Sequence, residues 1–224
     1  MMEKTVVLSV TIQMKEKMLL WGGGAVDVML TRPTDDFVGL RARANLSNNW
    51  GSDIFMSVHC NSAGNFAKGH EVWTTPGITG ADELALGLSQ EFEGEFPART
   101  NRGLKEASFS VLRQTRCPAA LYELEFIHFV EGEAFLGSAA NQTRMAEALA
   151  RGGLKYLGIE VSTVPREPAR PAGPVSPVLV GGGRDDALLG ERIAALREIL
   201  ITGGETMEQA GAELGRLESY LGRG

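Results

Sequence analysis

Proline sets the first boundary. Five of the chain's nine prolines fall within STVPREPARPAGPVSPVLVGGG at 162–183, a stretch that ends on three glycines. Each proline removes a backbone donor and favours extended chain, so a packed helix or inner strand does not run through it. The segment 161–183 therefore reads as a linker between a domain at 1–160 and a short C-terminal piece at 184–224. At 43% hydrophobic and 22% charged residues, the chain has the apolar mass for a packed core and too much of it for disorder. No window approaches the roughly eighteen uninterrupted apolar residues of a membrane span. A formal net charge of -6 argues against a bulk nucleic-acid binder. With only Cys60 and Cys117, neither a disulfide scaffold nor a zinc-finger array is open to it, and both read as small hydrophobes. The start, MMEKTVVLSV, lacks the basic residues, apolar run and small-residue cleavage site of a signal peptide, so the sequence as written reads as cytoplasmic.

Beyond the linker, Leu189, Ile193, Leu196 and Leu200 fall at steps of four and three, and Met207, Ala210, Leu214, Leu217 and Leu221 repeat the pattern after Gly203 and Gly204. Thr206 with Gln209 resembles a capping box. One apolar stripe per helix predicts a helical hairpin or short coiled coil. Two readings of it stand: packing on the first domain or a second copy, or a wall-binding or homo-oligomerising module.

Within 1–160, helical and strand signals alternate. Val7, Val10, Met14 and Met18 predict a helix from Thr5 to Leu20, and AVDVML at 25–30 alternates as a strand. Asp35 or Asp36 is placed to cap a helix running through Asn45, with Phe37, Leu40 and Ala44 inward. Strands are expected from Asp53 to His59, from Glu71 to Thr75 and at 119–127, with helices at 81–93 and about 139–157. This alternation predicts an α/β fold, a sheet flanked by helices, with working residues at the carboxyl ends of strands.

His59 ends the apolar run IFMSVH, where an imidazole either binds metal or hydrogen-bonds a loop. His70 reads as an exposed turn residue, and His128 as a residue between a strand and an acidic loop. Glu123 and Glu125 are more telling. At alternate positions of an apolar strand, both are expected on one face, where carboxylates need a cation, donors or a proton-transfer task. GGG at 22–24 and 181–183 lacks the Lys and Ser or Thr of a phosphate-cradling loop, and no GxSxG nucleophile elbow is present.

TRPTDDFVGLRARANLSN at 31–48, SDIFMSVHCNS at 52–62, NRGLK at 101–105 and CPAALYELEFI at 117–127 occur in that order. The series resembles the zinc-dependent N-acetylmuramoyl-L-alanine amidases, peptidoglycan hydrolases of bacteria and their phages, over Glu3 to about Gly158. The resemblance implies a mixed sheet flanked by helices, one Zn2+ per chain, and peptidoglycan as partner. Ser57, His59 and Asn61 match the family's S-x-H-x-N segment, which makes His59 a metal ligand. Glu3 and Lys4 match its E-K pair, which makes Glu3 a second. Tyr122 to Phe126 match its V-E-L-G-F-type strand, which makes Glu123 the catalytic proton-transfer group. Asn61 and Arg102 become substrate-binding candidates, Arg102 toward a carboxylate of the peptide or else in a surface ion pair.

The implied chemistry is zinc-assisted hydrolysis of the amide between the lactyl group of muramic acid and L-alanine. Two departures stand out. Glu125 occupies the family's glycine, which puts a like charge beside Glu123 and predicts a raised pKa. The family's first strand, with a histidine in a G-H-G-G-type turn, belongs ahead of Glu3, where the sequence has only Met1 and Met2. The third ligand is therefore missing from the sequence as given, and an exposed sheet edge is expected. A late-called start, a truncated inactive wall-binding or oligomerising protein, and substitution by His70 or His128 each account for this.

Overall fold

A computed structural model describes residues 2–63, 67–77 and 79–161, so the linker and C-terminal helices expected from sequence lie outside the described residues. In chain order the elements are α1 (Glu3–Gly22), α2 (Leu40–Trp50), β1 (Phe55–Asn61), β2 (His70–Thr74), α3 (Thr79–Glu95), β3 (Asn101–Glu106), α4 (Ser110–Gln114), β4 (Ala119–Phe126), α5 (Val130–Gly137) and α6 (Ala139–Tyr156). The sheet runs β1-β4-β2-β3. β1 lies parallel to β4, β4 antiparallel to β2, and β2 parallel to β3, so the sheet is mixed as expected. Among the described residues β1 is one of its edges.

The main core lies between one face of the sheet and α1, α3 and α6. Val6, Val10, Met14 and Met18 recur every fourth residue and give α1 its buried stripe. The stripe is phased on Val6 rather than Val7, which is only partly buried. α6 brings Ala146, Leu149, Ala150 and Leu154 into the same core, and small residues let α3 come close. A Cβ on Gly152 would lie 2.8 Å from the Leu88 Cα, so only glycine permits that approach. The opposite face carries a smaller cluster of Phe55, Val111, Leu112, Ala119 and Leu121, with Trp73 and Cys117 against it. That cluster covers only the amino-terminal halves of β1 and β4. Their carboxyl ends are left for polar side chains.

Several expectations are corrected. Residues 25–30 form no strand. Val26 and Val28 do pack against the core, but as a loop laid over it, and one-sided burial produces alternation with or without a ladder. α2 starts at Leu40 behind Gly39, not at an aspartate cap, because Asp35 is held by Lys4 and Asp36 by Thr34. Phe37 and Leu40 are exposed, and of the three residues expected inward only Ala44 is buried. β3 and α4 were not signalled by periodicity, and the acidic loop expected after His128 is α5.

His70 is the largest reversal. It is fully buried on the main-core face, its ring stacked with Tyr122 and tilted against Phe92, and its Nδ1 lies 2.7 Å from the Tyr122 Oη. Gly69, at φ 107°, turns the chain into the strand so tightly that a Cβ there would meet the Thr100 carbonyl oxygen. Burial lowers the His70 pKa from 6.5 to about 4, against an opposing pull from Glu93. The folded state therefore resists a proton that the unfolded chain accepts below about pH 6.5. This contribution to stability is complete above that pH and is lost as pH falls toward 4. Urea unfolding at a series of pH values is expected to show a shallower loss of stability over this window in His70→Phe than in the parent chain. Equal slopes would contradict the assignment.

Candidate functional site

Sheet pairing builds the site. His59 on β1 pairs with Glu123 on β4, and Glu123 pairs with Glu71 on β2. Side chains at paired positions project from the same face, so three strands present His59, Glu123 and Glu71 as a row. The row lies just past the smaller apolar cluster, toward the carboxyl ends of β1 and β4. That matches the expected placement for an α/β sheet.

Glu3, in the first turn of α1, reaches the β1 end of the row. Its Oε1 lies 2.8 Å from the His59 Nδ1 and accepts from the Cys60 backbone N–H at 3.2 Å. The hydrogen bond with His59 holds the Glu3 carboxyl below its ordinary pKa, against the opposing effect of burial. The Ser57 Oγ lies 3.1 Å from the other ring nitrogen, Nε2. The loop before α2 secures the helix terminus: Arg32 donates to the Lys4 carbonyl at 2.7 Å, and Lys4 donates to Asp35 at 2.6 Å.

Glu123 stands between its neighbours largely buried, and its Oε2 has no hydrogen-bond partner. Desolvation raises its pKa from 4.5 to about 7; His59 opposes the rise, while Glu3 and Glu71 add to it. A carboxyl in that range both accepts and returns a proton near neutral pH.

Glu71 is built differently. Its Oε1 accepts from the Asn61 Nδ2 at 2.8 Å and the Trp73 Nε1 at 3.1 Å, and its Oε2 accepts from the Arg102 Nε at 2.6 Å and from the Lys105 Nζ. Burial alone would raise its pKa, but the bonds from Lys105 and Arg102 outweigh it and hold the carboxyl below the ordinary value. Each oxygen is occupied twice, so Glu71 is an anchor and not a proton acceptor. Sequence reasoning passed over it. The available signal was a glutamate next to Val72 and Trp73 in the strand HEVWT, a weaker form of the anomaly that drew attention to Glu123.

Glu125 does not share the face of Glu123. The β1–β4 register slips between His59 and Asn61: Asn61 pairs with Phe126, so β4 spends one residue more than β1 and the alternation is reset. Glu125 turns into the main-core side, where its Oε1 accepts from the Gly69 N–H at 2.6 Å and the Phe126 N–H at 2.8 Å, and its Oε2 meets Arg99 at 3.4 Å. The like charges acting on Glu123 are therefore Glu3 and Glu71.

Asn61, expected to meet substrate, has both ends of its amide engaged within the chain, Nδ2 on Glu71 and Oδ1 accepting from the Ser62 N–H. Arg102 does lie at the site, in a partly exposed ion pair with Glu71. Glu3 and His59 have the donor chemistry of a zinc site, one carboxylate oxygen and one imidazole in direct contact. Among the described residues no group of three His, Cys, Asp or Glu side chains is placed to hold a metal ion. Neither His70 nor His128 therefore completes the pair. His70 lies on the opposite face, and the His128 ring packs between Phe126 and Phe129 with its Nδ1 accepting from the Ala63 N–H. Cys60 is buried, and its thiol pKa is pushed upward by desolvation, as befits a hydrophobe.

Comparison with known proteins points one way. The family described as N-acetylmuramoyl-L-alanine amidase matches residues 1–154. The amidase CwlM of Bacillus licheniformis is 33% identical over 150 residues, covering 67% of this chain and 56% of that protein. An endolysin of Bacillus phage SPP1 is 32% identical over 163 residues, covering 70% of this chain and 59% of that protein. The chain thus spans a little over half the length of the curated relatives it matches. A solved amidase from Clostridium difficile 630 superposes with a TM-score of 0.67 at 30% identity, covering 70% of this chain and 85% of that one.

The division of labour between the two β4 carboxylates is testable by stability alone. Glu125→Gln keeps the shape but replaces an acceptor of Arg99 with an amide, and is expected to lower the unfolding free energy by about 1–3 kcal/mol. Glu123→Gln leaves no partner unsatisfied and is expected to be neutral or stabilising, as measured by urea unfolding at pH 7. The reverse order would overturn the assignment.

Proposed function

The chain belongs to the N-acetylmuramoyl-L-alanine amidase family, and from that premise we propose that it hydrolyses the amide between N-acetylmuramic acid and L-alanine in peptidoglycan as a zinc-dependent enzyme of the cell wall. The observation that carries this reading is the half-buried carboxylate of Glu123, whose Oε2 is out of solvent and unpaired, with the Glu3–His59 donor pair beside it in the row.

Glu3 and His59 would hold the metal from one side of the row. When bound, zinc supplies an acidified water near neutral pH and polarises the scissile carbonyl. The rest belongs to the chain's own residues. Glu123 accepts the proton of the attacking water on its carboxylate and delivers it to the departing amine of L-alanine. Its pKa of about 7 makes both transfers feasible near neutral pH. Ser57 and the Cys60 N–H keep His59 and Glu3 aimed at each other. Asn61 acts through Glu71, which in turn holds Arg102 and Lys105.

With purified peptidoglycan and added zinc, the chain is expected to release new L-alanine amino termini, detectable by amine labelling. Glu123→Gln, folded as judged by circular dichroism, is expected to lower that rate by about 100-fold or more. Release of reducing sugar ends instead, or full activity in Glu123→Gln, would contradict the proposal.

A further inference from the structure

Glu71 holds more positive charge than it needs. Satisfying one buried carboxylate takes one cation, and its Oε1 is already occupied by Asn61 and Trp73. Yet both Arg102 and Lys105 converge on Oε2, so the trio of one carboxylate and two cations keeps one positive charge over. The carboxylate side chain is 4% exposed, while the cations are 33% and 31% exposed, so the surplus faces solvent and the anchor does not.

Both cations are also held in place before any ligand arrives. The Arg102 guanidinium lies over the Phe126 ring at 5.0 Å, and the Lys105 ammonium over the Trp73 ring at 5.1 Å. Among the described residues, the Arg102 guanidinium makes its hydrogen bond through Nε alone, which leaves the two Nη nitrogens as a fork. Such a fork fits a carboxylate in two parallel bonds, and little side-chain entropy remains to be lost on binding. The row places this fork on the Glu71 side of Glu123, opposite the Glu3–His59 pair.

We infer that Arg102 and Lys105, seated on Glu71, form a carboxylate-binding subsite that selects stem peptides bearing a free carboxylate near the scissile amide over those in which it is a carboxamide. The inference rests on the amidase reading and adds its specificity. Arg102 supplies the paired hydrogen bonds, Lys105 the second charge, and Glu71 positions both without touching substrate.

The test uses two soluble substrates, N-acetylmuramoyl-L-alanyl-D-isoglutamate and its isoglutamine counterpart, which differ only in that carboxyl group. The full chain with zinc is expected to favour the carboxylate form by about tenfold or more in kcat/KM, chiefly through KM. In Arg102→Gln the ratio is expected to fall to near one, and in Lys105→Met to an intermediate value. Arg102→Lys, which keeps charge without the fork, is expected to recover only part of it. A merely structural role would lower both rates together and leave the ratio intact. An unchanged ratio in Arg102→Gln, or no preference in the parent chain, overturns the subsite while leaving the amidase reading in place. Failure of the parent chain to cleave either substrate instead overturns the amidase reading.

Discussion

The Glu123 carboxylate sits on an inner strand, largely out of water, with one oxygen that nothing in the chain satisfies. Leaving a buried polar atom unpaired costs about 1–3 kcal/mol, and the fold sustains it because β4 is paired on both sides, by β1 and β2. The rest of the site depends on that placement. A ladder partner on one side puts His59 beside it, and a ladder partner on the other puts Glu71 beside it. Helix α1 then needs only to bring its first turn to the β1 edge for Glu3 to meet His59. Its stripe of Val6, Val10, Met14 and Met18 fixes how it lies.

The row is graded in its chemistry. At one end a carboxylate and an imidazole touch each other and have the donor set of a metal site. In the middle is a carboxyl whose ionisation burial has weakened. At the other end is a carboxyl whose ionisation two cations have secured. Three glutamates thus have three different roles, set by what surrounds each one. A fourth, Glu125, is taken off the face altogether by one slipped residue in the ladder, and is used to pin Gly69 and Arg99.

Much of this was legible in the residues. The four-residue stripe of α1, the apolar runs of β1 and β4, and the amphipathic helices α3 and α6 carry strong periodicity because each buries one face or two. A family likeness carried by the ordered sequence blocks and by the Glu3–Lys4 pair pointed to Glu3, His59 and Glu123, and the fold brings these three together. What stayed hidden has physical causes. Among the described residues β3 is an edge strand, NRGLKE, in which only Leu104 packs on the core while Arg102 and Lys105 serve Glu71, so no apolar alternation marks it. The bulge that turns Glu125 away leaves no trace in a period-two pattern. His70 was misread because the Gly69 turn that looks like a loop delivers it straight into the core. The run at 25–30 alternates like a strand because it drapes over the core, and draping needs no hydrogen-bonded neighbour.

The central claim is that the Glu3–His59 pair is the chain's contribution to a zinc site served by Glu123. Crystals grown with zinc, with anomalous diffraction collected on both sides of the zinc edge, test it most directly. One strong peak is expected about 2.0–2.2 Å from a His59 ring nitrogen and a Glu3 oxygen, with Glu123 facing it unligated. A peak seated instead at Cys60, His70 or His128, or no peak at this row at saturating zinc, would contradict it.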